Sequence, residues 1–448
     1  MKAFIETLKN IYKIEDLRAR ILYTLLILLI YRLGSFVTLP GIDPTQLAGL
    51  KKQTSEGVLG LLDMFSGGAF SHASVFALGI MPYISASIVI QLLTIAIPYF
   101  QRLQREGESG RRKINQLTRY LTLGILVLQA PSYVANLHAQ IPDTAFILKG
   151  TLFTFSSVVI LACGTIFVMW LGERITEKGI GNGISLIIMI GIIARLPFAF
   201  TSELAARIER QGGGLVAFLV EIVMLFVVVL VTILLVQGTR KIPVQYAKRI
   251  VGNKQYGGVR QYIPLKVNAA GVMPIIFAQA LMFIPITVAG FAKSESMSGF
   301  VAAFSNITGF WYNFTFGMLI VVFTYFYTAI TVNPNQMAED MKKNGGFIPG
   351  IKPGKKTSEF IDTIMSRITL PGAMFLAFVA IMPAFAMLTG MTSSFAHFYG
   401  GTSLLIMVGV VLDTLQQIES HLLMRHYDGL MKSGRIKGRS SMSMTTSA

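Results

Sequence analysis

Long apolar runs, separated by short polar and charged segments, dominate the hydrophobic pattern of this chain. A helix of about 20 apolar residues crosses the roughly 30 Å hydrocarbon core of a bilayer. Four runs of about that length carry no charge, and the others contain one ionisable residue or lie within longer apolar stretches. The pattern therefore predicts ten transmembrane helices. They cover residues 21–38, 73–95, 120–137, 152–171, 184–200, 215–236, 271–292, 311–332, 368–389 and 401–423.

A glycine-broken polar segment, MFSGGAFSHAS, directly precedes the second apolar run. Residues 58–66, which overlap the start of this segment, are predicted to form a short amphipathic helix that ends at Gly67 and Gly68. Such backbone is tolerated at membrane depth only where protein buries it or where it lines a water-filled cavity. The pattern predicts a pathway through the membrane, and it leaves open a fixed re-entrant loop or a movable element. The apolar members of the helix are Leu59, Leu62, Met64 and Phe65.

The composition is that of a polytopic membrane protein. Of the 448 residues 53% are hydrophobic and 14% charged, with a mean hydropathy of +0.61, whereas about a quarter of a soluble domain is charged. The single cysteine, Cys163, allows neither an internal disulfide nor a thiolate metal cluster. Residues 1–20 lack the apolar core of a cleavable signal peptide. They are predicted to form an amphipathic cytosolic segment.

Basic residues are concentrated in alternate loops. Lysine and arginine outnumber the acids 39 to 22, and the excess lies in both termini and in the loops after the second, sixth and eighth runs. Short basic loops stay on the cytoplasmic side, so both termini are predicted to be cytosolic. Loops 237–270 and 333–367 are longer than a connection needs and are expected to be functional or disordered. The end of the 424–448 tail is polar and predicted to be disordered.

Several long strings, spread in order over nearly the whole chain, carry a family resemblance. They are residues 64–93 together with GESGRRKINQLTRY (107–120), ITEKGIGNGISLIIM (175–189), PLKVNAAGVMPIIFA (264–278), PGIKPG (349–354) and GGTSLLI (400–406). In these strings the chain resembles the SecY/Sec61-alpha family, whose bacterial members are channel subunits of the Sec protein translocase.

The resemblance implies an all-α polytopic membrane protein with ten transmembrane helices. They would form two inverted, pseudo-symmetric halves of five helices, 21–205 and 206–423, around a central hourglass pore. The implied function is a protein-conducting channel that translocates unfolded secretory polypeptides and releases hydrophobic segments laterally into the bilayer. Residues 58–72 would be a plug that seals the resting channel, with Gly67 and Gly68 as its hinge.

Two further sets of site residues follow from the resemblance. A lateral gate would open between the second and third spans on one side and the seventh and eighth on the other. Gln91, Gln129 and Gln279 lie in or near that seam, where they either gate or merely join helices by hydrogen bonds. The matching positions of the pore constriction are all isoleucine: Ile80, Ile84, Ile184, Ile188, Ile276 and Ile406.

The long basic loops match the regions where the family receives the motor ATPase SecA or the ribosome. Lys352 stands where the family's PGIxPG turn usually has arginine, and lysine offers no planar bidentate fork. Other implied partners are the SecE and SecG subunits, secretory preproteins with their signal peptides, and anionic lipids, in the bacterial cytoplasmic membrane. The predicted docking residues are Lys248, Arg249, Lys254, Arg260, Lys352, Lys355 and Lys356.

The sequence carries no motif of an enzyme. It lacks G-x-x-x-x-G-K-[ST], H-E-x-x-H and G-x-S-x-G, so no catalytic residue, metal site or cofactor is predicted, and transport energy must come from a partner. Two other classes of protein are alternatives. One is a small-solute transporter, and the other is an intramembrane protease, whose nucleophile motif the sequence lacks. Four ionisable residues lie in predicted spans. Arg32, Arg195 and Glu221 are near span ends, where snorkelling suffices, whereas the deeper Asp413 is expected to have a structural partner.

Overall fold

The computed structural model describes residues 14–47, 50, 60, 63–148, 150–209, 214–246, 249–251, 254–256, 260–279, 281–282, 306 and 308–432. Predictions for Leu59, Leu62 and Lys248, and for the segments 1–13 and 433–448, lie outside these residues. The described part is mostly helical. Its helices are α1 (Glu15–Gly34), α2 (Met81–Ala96), α3 (Pro98–Arg105), α4 (Glu108–Gln140), α5 (Thr151–Lys178), α6 (Gly183–Glu209), α7 (Gly214–Gln237), α8 (Phe310–Thr331), α9 (Pro334–Lys343), α10 (Lys355–Leu388), α11 (Ser393–Ala396) and α12 (Gly401–Lys432).

Within the described residues, seven helices are long and apolar enough to cross a membrane, and the bent pair α2 and α3 raises the number to eight. The first predicted span lies in α1, which also carries Arg18, Arg20 and Arg32. The seventh predicted span is helical over 273–279 and 281–282, and the rest of it lies outside the described residues. The predicted number of ten spans therefore stays a prediction.

The second predicted span, 73–95, is wrong at its start. Residues 66–80 form turns, and the helix begins only at Met81, with Pro82 in its first turn. Ala73 and Gly79 have positive φ angles, of 45° and 54°, which no helix accommodates. The chain bends by 102° between α2 and α3, since a residue before a proline is biased away from helical angles and Ile97 precedes Pro98.

Two hydrophobic clusters each draw their residues from one half of the chain. One, in the first half of the chain, joins the loop residues Leu39 and Phe146 to Tyr133 of α4 and Phe153 of α5. The other joins α7, α8, α10 and α12 in the second half. Because the two clusters share no residue, each half of the chain carries a core of its own.

The two long loops fold together, and the strands they form were missed by the sequence-based prediction. The strands are β1 (Thr239–Tyr246), β2 (Arg249–Val251), β3 (Lys254–Tyr256), β4 (Arg260–Lys266) and β5 (Gly346–Phe347). β1 pairs antiparallel with β4 and with β5, in the order β4-β1-β5. Val244 and Leu265 of this sheet pack with Met341 of α9 and Ile361 of α10. The described parts of both loops are thus one folded unit.

Candidate functional site

A short segment, residues 63–72, precedes α2 in the chain and packs against α6. Asp63, Met64 and Phe65 form a helical turn, followed by Gly67 and Gly68 with φ angles of 64° and 93°. These are left-handed angles that glycine adopts without the steric penalty of a Cβ atom. A Cβ atom on Gly67 would lie 2.8 Å from the Cα atom of Gly191 in α6. The glycine therefore allows the close backbone approach that seats the segment.

A buried carboxylate fixes this segment to α6. Asp63 is 6% exposed, and it accepts hydrogen bonds from the guanidinium of Arg195 and from the backbone N–H of Ser71, the latter at 2.7 Å. Arg195 also donates to the Ser71 hydroxyl at 2.8 Å. The snorkelling expected for Arg195 is wrong, because its charge is neutralised inside the protein. The roles of Asp63 and Ser71 were missed, since no local pattern links positions 132 residues apart.

Helix α1 also holds residues 63–72 by hydrogen bonds. Arg32 of α1 donates to the carbonyl oxygen of Gly67 at 2.5 Å, and the Tyr31 hydroxyl donates to the carbonyl of Ser66 at 3.3 Å. Snorkelling is therefore wrong for Arg32 also. The segment is thus held by polar contacts from both α1 and α6, and it also carries the apolar side chains Met64 and Phe65.

Those apolar side chains lie in a central hydrophobic cluster that also contains all six predicted isoleucines. Met64 and Phe65 are 6% and 9% exposed within it. The isoleucines come from four separate parts of the chain: α2 and its N-cap, α6, the helical segment 273–279, and α12. They are Ile80, Ile188 and Ile406, which are buried, and Ile84, Ile184 and Ile276, which are partly buried.

A seam between α2 and α8 contains one of the three predicted gate glutamines. The Tyr327 hydroxyl of α8 donates to the side-chain oxygen of Gln91 in α2. Ile88 and Phe277 pack beside this hydrogen bond, and the rings of Phe277 and Tyr327 are 5.1 Å apart. We call these four residues the α2–α8 seam. Tyr327 was not predicted, since a tyrosine in an apolar run gives no local signal of its partner.

The other two glutamines lie away from the seam. Gln129 is exposed on α4. Gln279 is 5% exposed and lines a cavity of about 30 Å³ with Tyr312 and His397. Burial lowers the pKa of His397, which lies in the turn before α12, to about 4. The three predicted gate residues are therefore not brought together.

The remaining ionisable residues of the predicted spans have different surroundings. Glu221 is 5% exposed and pairs with Arg207, so snorkelling is wrong for it. Asp413 is exposed on α12, and no ion pair or hydrogen bond joins its carboxylate to any of the described side chains. The expectation of a structural partner for Asp413 is therefore wrong within the described part of the chain.

The described docking residues lie in two parts of the folded loops, the start of α10 and the strands. Lys352, Lys355 and Lys356 are exposed at the start of α10, where Lys356 pairs with Glu359 at 3.5 Å. Such an exposed pair contributes little to stability, so these charges stay free to bind. The other described members lie on strands: Arg249 on β2, Lys254 on β3 and Arg260 on β4.

Similarity to solved structures gives the fold. A protein-conducting channel matches over 95% of both chains with a TM-score of 0.61 at 17% identity. A SecY protein, described as having a plug domain that stabilises the closed translocation channel and maintains a membrane seal, matches with a TM-score of 0.59 at 16% identity over 95% of both chains. Canine Sec61 in a ribosome-channel complex matches with a TM-score of 0.57 at 16% identity over the same share of each chain.

Sequence similarity is stronger. The protein translocase subunit SecY of Streptomyces scabiei is 44% identical over 442 residues, which cover 94% of this chain and 98% of the relative. The family model described as SecY matches residues 74–415. That range includes α2 through most of α12 and hence all four parts of the chain that contribute the six isoleucines. The fold, the length of the match and the identity together show that this chain belongs to the SecY family.

Proposed function

We propose that the chain is the channel-forming subunit of a protein translocase and that unfolded polypeptides pass through its central cluster. One observation carries the proposal: isoleucines from four parts of the chain meet in a single cluster that the 63–72 segment also enters. On this interpretation the isoleucines are the pore ring and the segment is the plug of a closed channel.

The chemistry of the ring suits a polypeptide pore. A narrow apolar constriction resists ion flow because water does not wet it. Branching at Cβ restricts the isoleucine side chains, so the rim is stiff. The ring also offers no hydrogen-bonding group to a passing chain, so extended polypeptides of any sequence slide without being held.

The polar contacts of the plug suit a seal that must open. Separating Asp63 from Arg195 in a dry interior would leave two uncompensated charges, at a large cost in free energy. Water that enters with the polypeptide solvates both groups and lowers that cost. The contact therefore favours a closed channel at rest and a wet channel during transport.

Lateral release requires a seam that opens for an apolar segment. A hydrogen bond from Tyr327 to Gln91 links α2 and α8 among apolar neighbours. Hydrogen bonds between membrane helices contribute about 0.6 to 1.7 kcal/mol. A signal peptide that buries a few large side chains gains more than this, since each contributes roughly 1.5 to 3 kcal/mol. We therefore assign the lateral gate to this seam.

The folded basic loops suit docking of a driving partner. Their exposed lysines attract ribosomal RNA or an acidic face of SecA, and charge attraction also holds anionic lipids. The canine relative bound to a ribosome supports such docking in the family. We propose a heterotrimer with SecE and SecG, ten spans in two inverted halves, cytosolic termini and the bacterial cytoplasmic membrane as its location.

The test is disulfide crosslinking in reconstituted vesicles. Cys163 is replaced by alanine, and cysteines are placed at Phe65 and Ile84, two members of the central cluster. We expect efficient crosslinking at rest and a clear decrease when a stalled preprotein occupies the channel. The control pair, at His138 and Phe146, is stacked 4.4 Å apart outside the cluster and should not change.

Two outcomes contradict the proposal. Crosslinking at Phe65 and Ile84 that is unaffected by an engaged preprotein rules out a movable plug. Vesicles that contain the chain and its partners and import sugars or amino acids, but never a presecretory protein, favour the small-solute transporter instead.

A further inference from the structure

Three charged side chains meet where the two predicted halves join, between the end of α6 and the start of α7. Arg207 of α6 donates from Nε to Glu203, one turn earlier, at 3.0 Å, and from Nη2 to Oε1 of Glu221 in α7. Glu203 is fully buried and Glu221 is 5% exposed, while the Arg207 side chain is 13% exposed. Two buried carboxylates therefore share one guanidinium.

The two carboxylates differ in how their oxygens are satisfied. The second oxygen of Glu203 accepts from the backbone N–H of Thr392 at 2.8 Å and from its hydroxyl. Glu221 uses only Oε1, and its Oε2 is buried without a hydrogen-bond partner among the described residues. The Tyr399 hydroxyl donates to the backbone carbonyl of Glu221 and leaves its carboxylate untouched. Glu221 is therefore the less fully hydrogen-bonded of the two carboxylates.

No second cation faces Glu221 from the described elements packed against α7. Helix α6 supplies Arg207 alone, and the turn before α12 supplies Tyr399 and His397. With a pKa of about 4, His397 is neutral at pH 7. The first charged residue of α12, Asp413, lies about 18 Å along the helix axis from Gly401, at 1.5 Å per residue. The described joint thus carries a net charge of −1 if both glutamates are ionised.

The Oε2 atom of Glu221 is buried without a hydrogen bond, and the one guanidinium that pairs with this carboxylate is shared with Glu203, so a neutral carboxyl costs less at this position than an ionised one. We propose that Glu221 is a proton-binding site, which holds a proton on Oε2 while the joint is closed. The proton leaves the cluster neutral, with Glu203 and Arg207 as its ion pair. When the joint opens to water, the carboxyl is solvated and the proton is released to solvent.

The consequence for gating depends on the proposed channel function. Glu203 of the first predicted half binds Thr392 of the second, so this link crosses between the predicted halves. Glu203 also shares Arg207 with Glu221, and Arg207 and Glu221 both belong to the second half, so the Glu221 carboxyl is joined to the link through Arg207. Opening of the halves would then be coupled to proton release on the side of the membrane where α6 ends, which the charge pattern predicts to be the outer side. Proton occupancy itself is measured without any transport assay, so its failure and the failure of the channel proposal are distinguishable.

The test uses the full chain with its copurified partners in lipid nanodiscs at pH 7. Infrared spectroscopy should detect the carbonyl stretch of a buried protonated carboxyl group. We expect Glu221→Gln to abolish this band and Glu203→Gln to retain it. A band that persists in Glu221→Gln, or no such band in the native chain, overturns the proposal. In the latter case Glu221 is ionised in the closed joint.

Thermal unfolding supplies a second measurement. Glutamine mimics a protonated glutamate, so Glu221→Gln should shift the unfolding temperature by less than about 2 °C at pH 7. Glu203→Gln should lower it by several degrees, because Arg207 then remains buried without a counter-charge. An equal loss in both variants would mean that Glu221 is ionised, and this too overturns the proposal.

Discussion

Removing a single hydroxyl group from the α2–α8 seam should make the channel easier to open. Tyr327→Phe deletes the donor to Gln91 and keeps the aromatic ring that packs 5.1 Å from Phe277. Gln91 retains a hydrogen bond from its amide nitrogen to Ser87 at 3.3 Å, so its side chain keeps one local partner. The variant therefore changes one interhelical hydrogen bond and little of the packing.

The expected magnitude follows from that bond. Hydrogen bonds between membrane helices contribute about 0.6 kcal/mol on average and about 1.7 kcal/mol at most. A change of 1.4 kcal/mol is tenfold in an equilibrium constant. The open fraction of the seam in Tyr327→Phe should therefore rise by about threefold to about twentyfold.

The assay is translocation of a preprotein with a weakened signal peptide into vesicles that contain the chain and its partners. The native channel should transport it poorly, and Tyr327→Phe should transport it several-fold faster. Tyr312→Phe is the matched control, because Tyr312 lies on the same helix but packs inside the second half of the chain. Equal rates in the native channel and Tyr327→Phe, or equal gains in both variants, would refute the assignment of the gate to this seam.

Three further predictions concern the plug, the ring and the turn before α12. Asp63→Asn should destabilise the seated plug by about 1 to 3 kcal/mol. This is less than the loss for a fully buried ion pair, because the Arg195 side chain is 24% exposed. Ion leakage measured in planar bilayers should therefore rise. Ile406→Ala should lower the free energy of unfolding by about 2 to 5 kcal/mol and raise leakage during transport, when the plug is displaced. His397 has a folded pKa of about 4, below its unfolded value of about 6.5, so stability should fall by up to about 3 kcal/mol as pH drops through this window. His397→Gln should remove that loss in thermal unfolding measured from pH 7 to pH 4, and an unchanged pH profile would contradict the burial argument.

The apolar runs predicted the membrane segments of most helices but not the helix ends. The run at 120–137 lies inside α4, which extends from Glu108 to Gln140. The run at 368–389 ends one residue beyond α10, but α10 starts at Lys355, 13 residues before the run. Hydropathy reports contact with lipid, whereas backbone hydrogen bonding continues into charged residues beyond the membrane. Hydropathy therefore underestimates helices that project from the bilayer.

The contacts that hold the candidate site were beyond prediction from sequence pattern alone. Asp63 and Arg195 are 132 positions apart, and Gln91 and Tyr327 are 236 apart. Periodicity reports neighbours on one element, so it cannot pair residues on different elements. Arg195 resembled a snorkelling side chain for that reason. The six isoleucines were predicted only through the family resemblance, because isoleucine is equally common on helix surfaces that face lipid.

The proposed ring and plug have different roles because their contacts differ physically. Apolar contacts around the isoleucines exclude water but are not directional, so they cannot by themselves fix the plug in one orientation. The directional contacts come from Asp63 with Arg195 and from Arg32 with Gly67, which lie at the edge of the apolar cluster. In a dry channel these contacts are strong, and in a wet one water competes for the same groups. In the proposed channel the seal would therefore weaken only when a polypeptide has already admitted water, which would let a closed pore resist ions and still open for its substrate.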